Sequence, residues 1–363
     1  MKLLILTLAL ASQLLGAYGY NSVLTVDRTK VPNTNQTNFP MMVSGTYDGT
    51  GGEPDLRVTG SGGKVTDTQG DDIVFGTNST CSSLLNWEIE RYTSTTGVII
   101  AWIKIPTLTT ASDYVFYMCY GDAGVTTFQG NVTGTWDSNY IYVGHTPDGT
   151  SLTVLDSTSN ANNGTVTGGV VAIVGKIGGA ADFNGTTGYV TAGGSYAPAE
   201  LLTCEAWVNA DAFTGDPVIM GADATDRPYV ELLASGKIAV GAALLNNPSI
   251  STPALSTGTW YHVVAVMNTT STPPKIYLNG AEVAYDQVGG GGAVQPFTGL
   301  QFGSFHNASL FFDGKLDEVR YSNVNRSADW IATEYNNQNS PLTFYSVGAE
   351  TVSAVGIKRR VIQ

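Results

Sequence analysis

The sequence predicts an all-β protein: an N-terminal β-sandwich, then one larger sandwich or jelly roll, with one short helix near the C-terminus. Three observations carry this. Short runs of β-branched and aromatic residues recur along the 363 residues, separated by Gly, Asn, Thr and Asp. Glycine is abundant, at 43 residues, so turns are frequent. Charged residues make up only 13 % of the chain, about half the usual share, which excludes coiled coils and charge-laced helical bundles. Hydrophobic residues reach 42 %, enough to fill real cores. At ~100–200 residues per domain, the length suggests two or three domains.

The formal charge is −13, with 17 Lys and Arg in all. Such a chain lacks the basic footprint that nucleic acids or anionic membranes require, so neither is an expected partner.

The first element is an address. Lys2 precedes a mostly apolar run from Leu3 to Leu15, and Ala17 and Gly19 are small residues at the −3 and −1 positions of a cut before Tyr20. Residues 1–19 therefore read as a cleaved secretory signal, which places the mature protein outside the cell or on its surface. No later apolar run approaches the ~20 residues that cross a bilayer as a helix, so no membrane span is expected in the mature chain.

Residues 20–135 form the first domain. Its strand-like runs are SVLTVD, FPMMVSG, DIVFG, NWEIERY, GVIIAWIKIP and DYVFYMCYG. The run VIIAWIKI is too apolar for a strand with one wet face, so it is expected inside the sandwich. Pro40 and Pro106 are expected at strand margins, where a missing N–H does least harm. Cys81 and Cys119 lie in this half. They either pair in an oxidising compartment or remain buried thiols. Cys204, in LLTCEAWV, reads as a core residue. With no CxxC and no Cys/His cluster, a zinc site is not expected.

Residues 136–350 form the second domain. Many short strands with turn signals between them suggest one large sandwich or jelly roll. One stretch reads as helix, from Ser327 to Tyr335: Ser327 is a good N-cap and Asp329 puts an acid in the first turn. Residues 351–363 are a short basic tail. The glycine run at Gly289–Gly292 lacks a following Lys-Ser/Thr and reads as a plain connection, not a phosphate loop.

Three segments of the second domain carry a resemblance. They are GGAADFNG (178–185), TWYHVVAV (259–266) with IYLNG (276–280), and FDGKLDEVRY (312–321). In order and separation they resemble concanavalin A-like, laminin G-type jelly rolls. FPMMVSG, LNWEIERY, GVIIAWIKIP and YMCYGDAG resemble the domain of unknown function 2341, which often precedes such a module in secreted microbial proteins. WIATEYNNQNSPLTFYSVGAE resembles the closing segment of these two-domain chains. Part of the shared text is structural: Trp260, His262 and Val264 alternate with Tyr261, Val263 and Ala265 on one strand, and Asn279-Gly280 suits a hairpin turn.

The catalytic possibilities are thin. Retaining glycosidases need two carboxyls about 5–5.5 Å apart, which enzymes of this fold often supply as Glu-x-Asp-x-x-Glu. No such spacing occurs. Glu88 and Glu90 share a strand face but lie in the first domain, Glu205 and Glu231 stand alone, and Asp317 and Glu318 are adjacent and so expected on opposite faces. A lyase site would need His145, His262 or His306 to gather with Tyr and Arg, and nothing in the sequence predicts it. No catalytic residue is expected.

The resemblance implies a structural Ca²⁺ on the convex face, with Asp317 as side-chain ligand and Gly185 as carbonyl donor. Asp156 is a second candidate acid. The alternative is that Asp317 caps a turn or pairs with Arg320. Sugar recognition on such a fold uses aromatic stacking at loop tips, for which Tyr196, Tyr229, Phe305 and His306 are the candidates. The expected function is secreted, non-catalytic recognition of a glycan or surface polymer. The competing readings are a self-associating structural or adhesive component of a surface layer, appendage, filament or virion, and a polysaccharide-degrading enzyme on the same fold.

Overall fold

The computed structural model describes residues 18–146, 152–196, 201–222, 228–241, 247–267, 272–290, 297–306 and 309–353. Residues 1–17, most of the expected signal at 1–19, and 354–363, most of the expected tail at 351–363, lie outside the described residues, while Thr351–Val352 form a strand and not a tail.

The first domain is a β-sandwich. One sheet has three strands, with Val98–Leu108 between Gln36–Thr46 and Asn86–Thr93. The apolar run at 98–105 is this central strand, and both of its faces are buried: Ile99, Ala101 and Ile103 alternate with Ile100 and Trp102. The opposing sheet runs Tyr345–Val347, Tyr20–Val26, Tyr114–Tyr120, Val74–Gly76, with Thr351–Val352 also on Tyr20–Val26. Leu24, Phe116, Phe75 and Met118 meet Phe39, Met41 and Ile103 in one core. Cys81 and Cys119 are disulfide-bonded across Cα atoms 6.2 Å apart. Cys204 is free and buried.

Two expectations change here. Pro40 sits inside a strand, paired with Lys104, but that strand is the edge of its sheet, so no ladder bond is lost. The second domain does not run to 350. Tyr345 pairs with Val26, so the chain from there belongs to the first domain's sheet, which closes around both ends of the described chain.

The second domain is a jelly roll of two eight-stranded sheets. The docked sheet centres on Leu202–Ala210 and Asp313–Ser322, flanked by Tyr261–Met267, Lys275–Leu278 and Gly179–Asn184, with Tyr140–Gly144 also on Asp313–Ser322. The open sheet carries Ser249–Ala254, Lys237–Gly241, Tyr229–Leu232, Val218–Ala222, Phe297–Phe302 and Tyr189–Tyr196 in that order. Alternate residues fill the core between them: Cys204, Ala206, Val208, Val263 and Leu316 face Val230, Leu232, Ile238, Val240 and Leu300.

The predicted helix is Ala328–Asn339, and the Ser327 hydroxyl accepts from Trp330 N at 3.1 Å. It wedges between the domains. Ile331 packs on Val264, Val266 and Tyr277 of the docked sheet, while the Trp330 ring meets Phe39 edge-on at 5.1 Å. Its Asn337 side chain accepts from Met42 N at 2.7 Å and donates to Met42 O at 3.0 Å, covering the open edge of the first domain's sheet.

Candidate functional site

The outer face of the docked sheet is the floor of a buried seam between the domains. Glu205, Trp207, His262 and Arg320 point out of the jelly roll, and all are at least nine-tenths buried. The first domain supplies Glu88, Glu90 and Trp102, the connecting segment supplies Trp136 and His145, and the helix supplies Glu334.

Arg320 is the centre of charge. Its guanidinium stacks on Trp102 and Trp136 at 4.2 and 4.8 Å. It donates to Glu318 at 2.5 Å and stands 3.5 Å from Glu334 and 3.6 Å from Glu205. His145 is the second centre. Nδ1 lies 2.8 Å from Glu318 Oε1 and 3.6 Å from Glu90, and Nε2 lies 3.0 Å from Glu88. The indoles of Trp102 and Trp136 donate to Glu90 at 2.8 Å and to Glu88 at 2.6 Å.

Adjacent residues Asp317 and Glu318 both face this seam, against the expectation of opposite faces. The reason is a bulge: Glu205 pairs with Arg320 but Trp207 pairs with Asp317, and Glu318 takes a positive φ of 52°. The extra residue re-aims Glu318 at His145.

Acids outnumber bases here, and the titrations show it. Burial, then repulsion by Glu318, pushes Glu90 up to about 8. Burial, then Glu334, raises Glu205 well above the carboxylate range. Burial, then Glu318, does the same to Asp317. Burial also works against an ionised Glu318, but His145 and Arg320 outweigh it and hold Glu318 low. Burial opposes a charged His145, yet Glu318 and Glu88 raise it well above its ordinary value. His262 goes the other way: burial, then Arg320, lowers it to about 3, and its ring packs tilted beside Trp207 as a buried residue, 5.2 Å between centroids. One pocket of about 190 Å³ opens onto the seam, bordered by Glu88, Glu90, His145, Thr153, Leu155 and Ser157.

Of these residues the sequence singled out only Asp317, as a calcium ligand, and did not gather the others around it. A signal was present, because Glu205 and Arg320 interrupt apolar strand text, and a charge in such a run needs a buried partner.

The predicted sugar-binding residues lie on the open sheet. Register aligns Thr191, Gln301, Gly221, Tyr229 and Gly241 in one row across neighbouring strands. Tyr229 is not at an open turn. It starts a strand, is 1 % exposed, and lies so close over Gly241 that a Cβ there would come 2.4 Å from its ring. It offers no free face for stacking. Phe305 and His306 are half-buried, edge to face, 6.5 Å between centroids. They flank the row, since Gln301 donates to Phe305 O at 3.2 Å. Glu231 is two residues beyond Tyr229 on the same face, and burial, then Asp216, pushes its carboxyl up to about 7. The backbone of Tyr196 pairs with Phe297, at the far end of the sheet; its side chain lies outside the described residues.

The predicted calcium ligands are not gathered. Gly185 lies against Asp313, and Asp317 is four residues further along that strand, roughly 13 Å away at ~3.3 Å per residue. Asp317 Oδ2 accepts from Ile177 N at 2.8 Å. Asp156 is spent on Val143 N, Thr158 N, Thr158 Oγ1 and Asn162 N. These residues do not fit one shared ion.

Comparison with known proteins agrees with the architecture. Residues 69–159 match the family model of the domain of unknown function DUF2341. Residues 184–332 match that of the concanavalin A-like lectin/glucanases superfamily, Laminin_G_3. No curated protein matches the chain. Among solved structures, the chain is similar to the binding domain of Paraclostridial Mosquitocidal Protein 1, at 12 % identity and TM-score 0.45, over 54 % of this chain and 52 % of that one. It thus spans about half the length of that structure. It is also similar to domain 4 of AbnA, a GH43 extracellular arabinanase from Geobacillus stearothermophilus in complex with arabinotriose, at 20 % identity and TM-score 0.38, over 54 % of this chain and 99 % of that one. A third is the heptameric SAP-like pentraxin from Limulus polyphemus, at 13 % identity and TM-score 0.35, over 42 % and 78 %. The chain joins, in this order, a DUF2341 domain and a laminin G-like, concanavalin A-type jelly roll.

Proposed function

We propose that this is a secreted, non-catalytic recognition protein that binds a glycan or surface polymer through the open sheet of its jelly roll. The observation that carries the reading is the burial of the other sheet. Glu205, Trp207, His262 and Arg320 are sealed under the first domain and the helix, so the centre of that face is closed to a partner. The open sheet then remains as the recognition face of a domain whose family includes lectins.

This sheet suits carbohydrate. Glu231, half-buried, stays largely protonated until near neutrality, so it both donates and accepts toward sugar hydroxyls, while the buried Gln301 amide, bonded to Ser304 and Phe305, holds the Phe305 turn in place. Phe305 and His306 supply the aromatic edge. A glycan array probed with the mature protein, with and without a chelator, tests this. Retention of a subset of glycans, lost in Phe305→Ala and Glu231→Ala, supports it. No retention under either condition, or release of reducing sugar from any polysaccharide by the purified protein, overturns it.

A further inference from the structure

The unused chemistry of the molecule lies in the seam, away from the open sheet and independent of what that sheet binds. We propose that Glu90, His145 and Glu318 form a divalent-metal site between the two domains, suited to zinc, with Glu88 as the outer carboxylate that orients the imidazole.

The geometry comes first. One ligand atom from each of Glu90, His145 and Glu318 lies within 4.8 Å of the others. Ligands held ~2.0–2.1 Å from a tetrahedral zinc stand roughly 3.3 Å apart. His145 Nδ1 is 2.8 Å from Glu318 and 3.6 Å from Glu90, which brackets that edge. Displacing the Nδ1 proton and shifting the carboxylates by a few tenths of an ångström would admit the ion.

The second observation is an orphan. Glu90 Oε2 takes the Trp102 indole proton, but Oε1 is buried with no hydrogen-bond partner, on a side chain only 1 % exposed. The oxygen 3.6 Å from His145 Nδ1 is Oε2; a buried carboxylate oxygen without a donor, such as Oε1, is costly, and a cation held by both oxygens of Glu90 would supply what Oε1 lacks. The outer arrangement is also in place. The other imidazole nitrogen, Nε2, lies 3.0 Å from Glu88 Oε1, which Trp136 holds at 2.6 Å. A carboxylate that fixes the far nitrogen of a ligating histidine is how such sites set tautomer and ring direction.

Charge and access agree. Three carboxyls face one imidazole, while Arg320 is already shared among Glu318, Glu205 and Glu334. Two ionised carboxylates and a neutral imidazole around a divalent ion would be electrically balanced. One nitrogen and carboxylate oxygens, without sulfur, suit zinc or manganese better than copper(I), and the imidazole disfavours calcium and magnesium. Glu90 and His145 border the 190 Å³ pocket, so a fourth position can hold water.

The mature protein is stripped with EDTA, loaded with ZnCl₂, desalted and assayed by mass spectrometry for metal. The expected result is one zinc per chain, with an X-ray absorption spectrum showing a single imidazole among oxygen ligands. Glu90→Gln and His145→Gln are expected to lose the ion, Glu88→Gln to weaken it about 10–100-fold at unchanged stoichiometry, and Glu231→Gln, on the open sheet, to keep it. Substoichiometric zinc in the wild type, a spectrum without imidazole, or full binding by Glu90→Gln overturns the proposal. The wild-type spectrum decides the matter even where a variant fails to fold, and none of these readouts involves a glycan.

Discussion

Replacing Arg320 by methionine measures how the two domains are joined. The guanidinium is 1 % exposed, lies on two tryptophans and serves three carboxyls. Methionine keeps length and apolar contact but removes the charge. Breaking a buried ion pair from one side costs about 3–5 kcal/mol, because the partner is left uncompensated. Each desolvated cation–π contact adds up to ~2 kcal/mol, of which a thioether over the same rings returns ~0.3–1.5 kcal/mol. Glu205 can relieve part of the loss by taking a proton, since burial already raises its pKa. The net expectation at pH 8 is about 3–5 kcal/mol. The sign of the pH effect follows from the same carboxyl. A folded pKa above the unfolded 4.5 gives stability that is complete below 4.5 and lost as pH rises through the folded value. Without Arg320 that folded value rises further, so the deficit of the variant should shrink as pH falls from 8 toward 5. Urea denaturation at several pH values, followed by tryptophan fluorescence and far-ultraviolet dichroism, gives both quantities. A loss below about 1 kcal/mol at pH 8, where the pair rule requires several, or a loss that does not vary with pH, would refute the reasoning.

The open sheet, the disulfide and the helix each offer a simpler test. Glu231 has a folded pKa of about 7 against 4.5, so its contribution to stability is present below 4.5 and lost as pH rises through 7; Glu231→Gln should flatten the stability profile across that window, and an unchanged slope in denaturation midpoints would contradict it. The Cys81–Cys119 bond closes a span of 38 residues, for which loop entropy gives about 4 kcal/mol; the double serine variant should lose that much in urea melts, and a loss near zero would mean the unfolded chain is already constrained. Asn337→Ala strips both hydrogen bonds from Met42, expected to cost about 2–4 kcal/mol and to expose the Met42 amide to hydrogen exchange, so an amide as protected as in the wild type would count against that role.

The strands were legible because a two-residue period and frequent turn residues mark them without reference to any partner. GVIIAWIKIP reads as an interior strand and is one; Ser327 reads as an N-cap and its hydroxyl caps. Partners were not legible. Nothing in TFYSV says that Tyr345 meets Val26, because alternation specifies a strand face and not which strand lies beside it. The seam failed for a sharper reason. Strict alternation sends Asp317 and Glu318 apart, whereas one non-glycine residue at φ 52° turns both toward the first domain. The sequence carries no turn signal at that position, so the bulge must be imposed by what surrounds it: the ion pair with Arg320 and the hydrogen bond to His145.

That strained residue bears on what the first domain does. A positive φ at a glutamate is uncommon and costs of order 1–3 kcal/mol unless the surroundings over-determine it. Here His145, Arg320 and the carboxyls of the first domain over-determine it together. An isolated jelly roll would lose Trp102, Glu88 and Glu90, part of what holds the bulge, and leave its arginine and a face of buried-type aromatic and ionic groups open to water. The strand Tyr20–Val26 would in turn lose Tyr345–Val347, which lies beyond the jelly roll in sequence. Each domain therefore completes the other, one through charge and one through a strand. Cutting the chain between them should give two aggregation-prone pieces, not two working modules. If the separated jelly roll instead stays monomeric and folded in solution, the seam is an incidental contact, and the docked sheet competes with the open sheet as the recognition face.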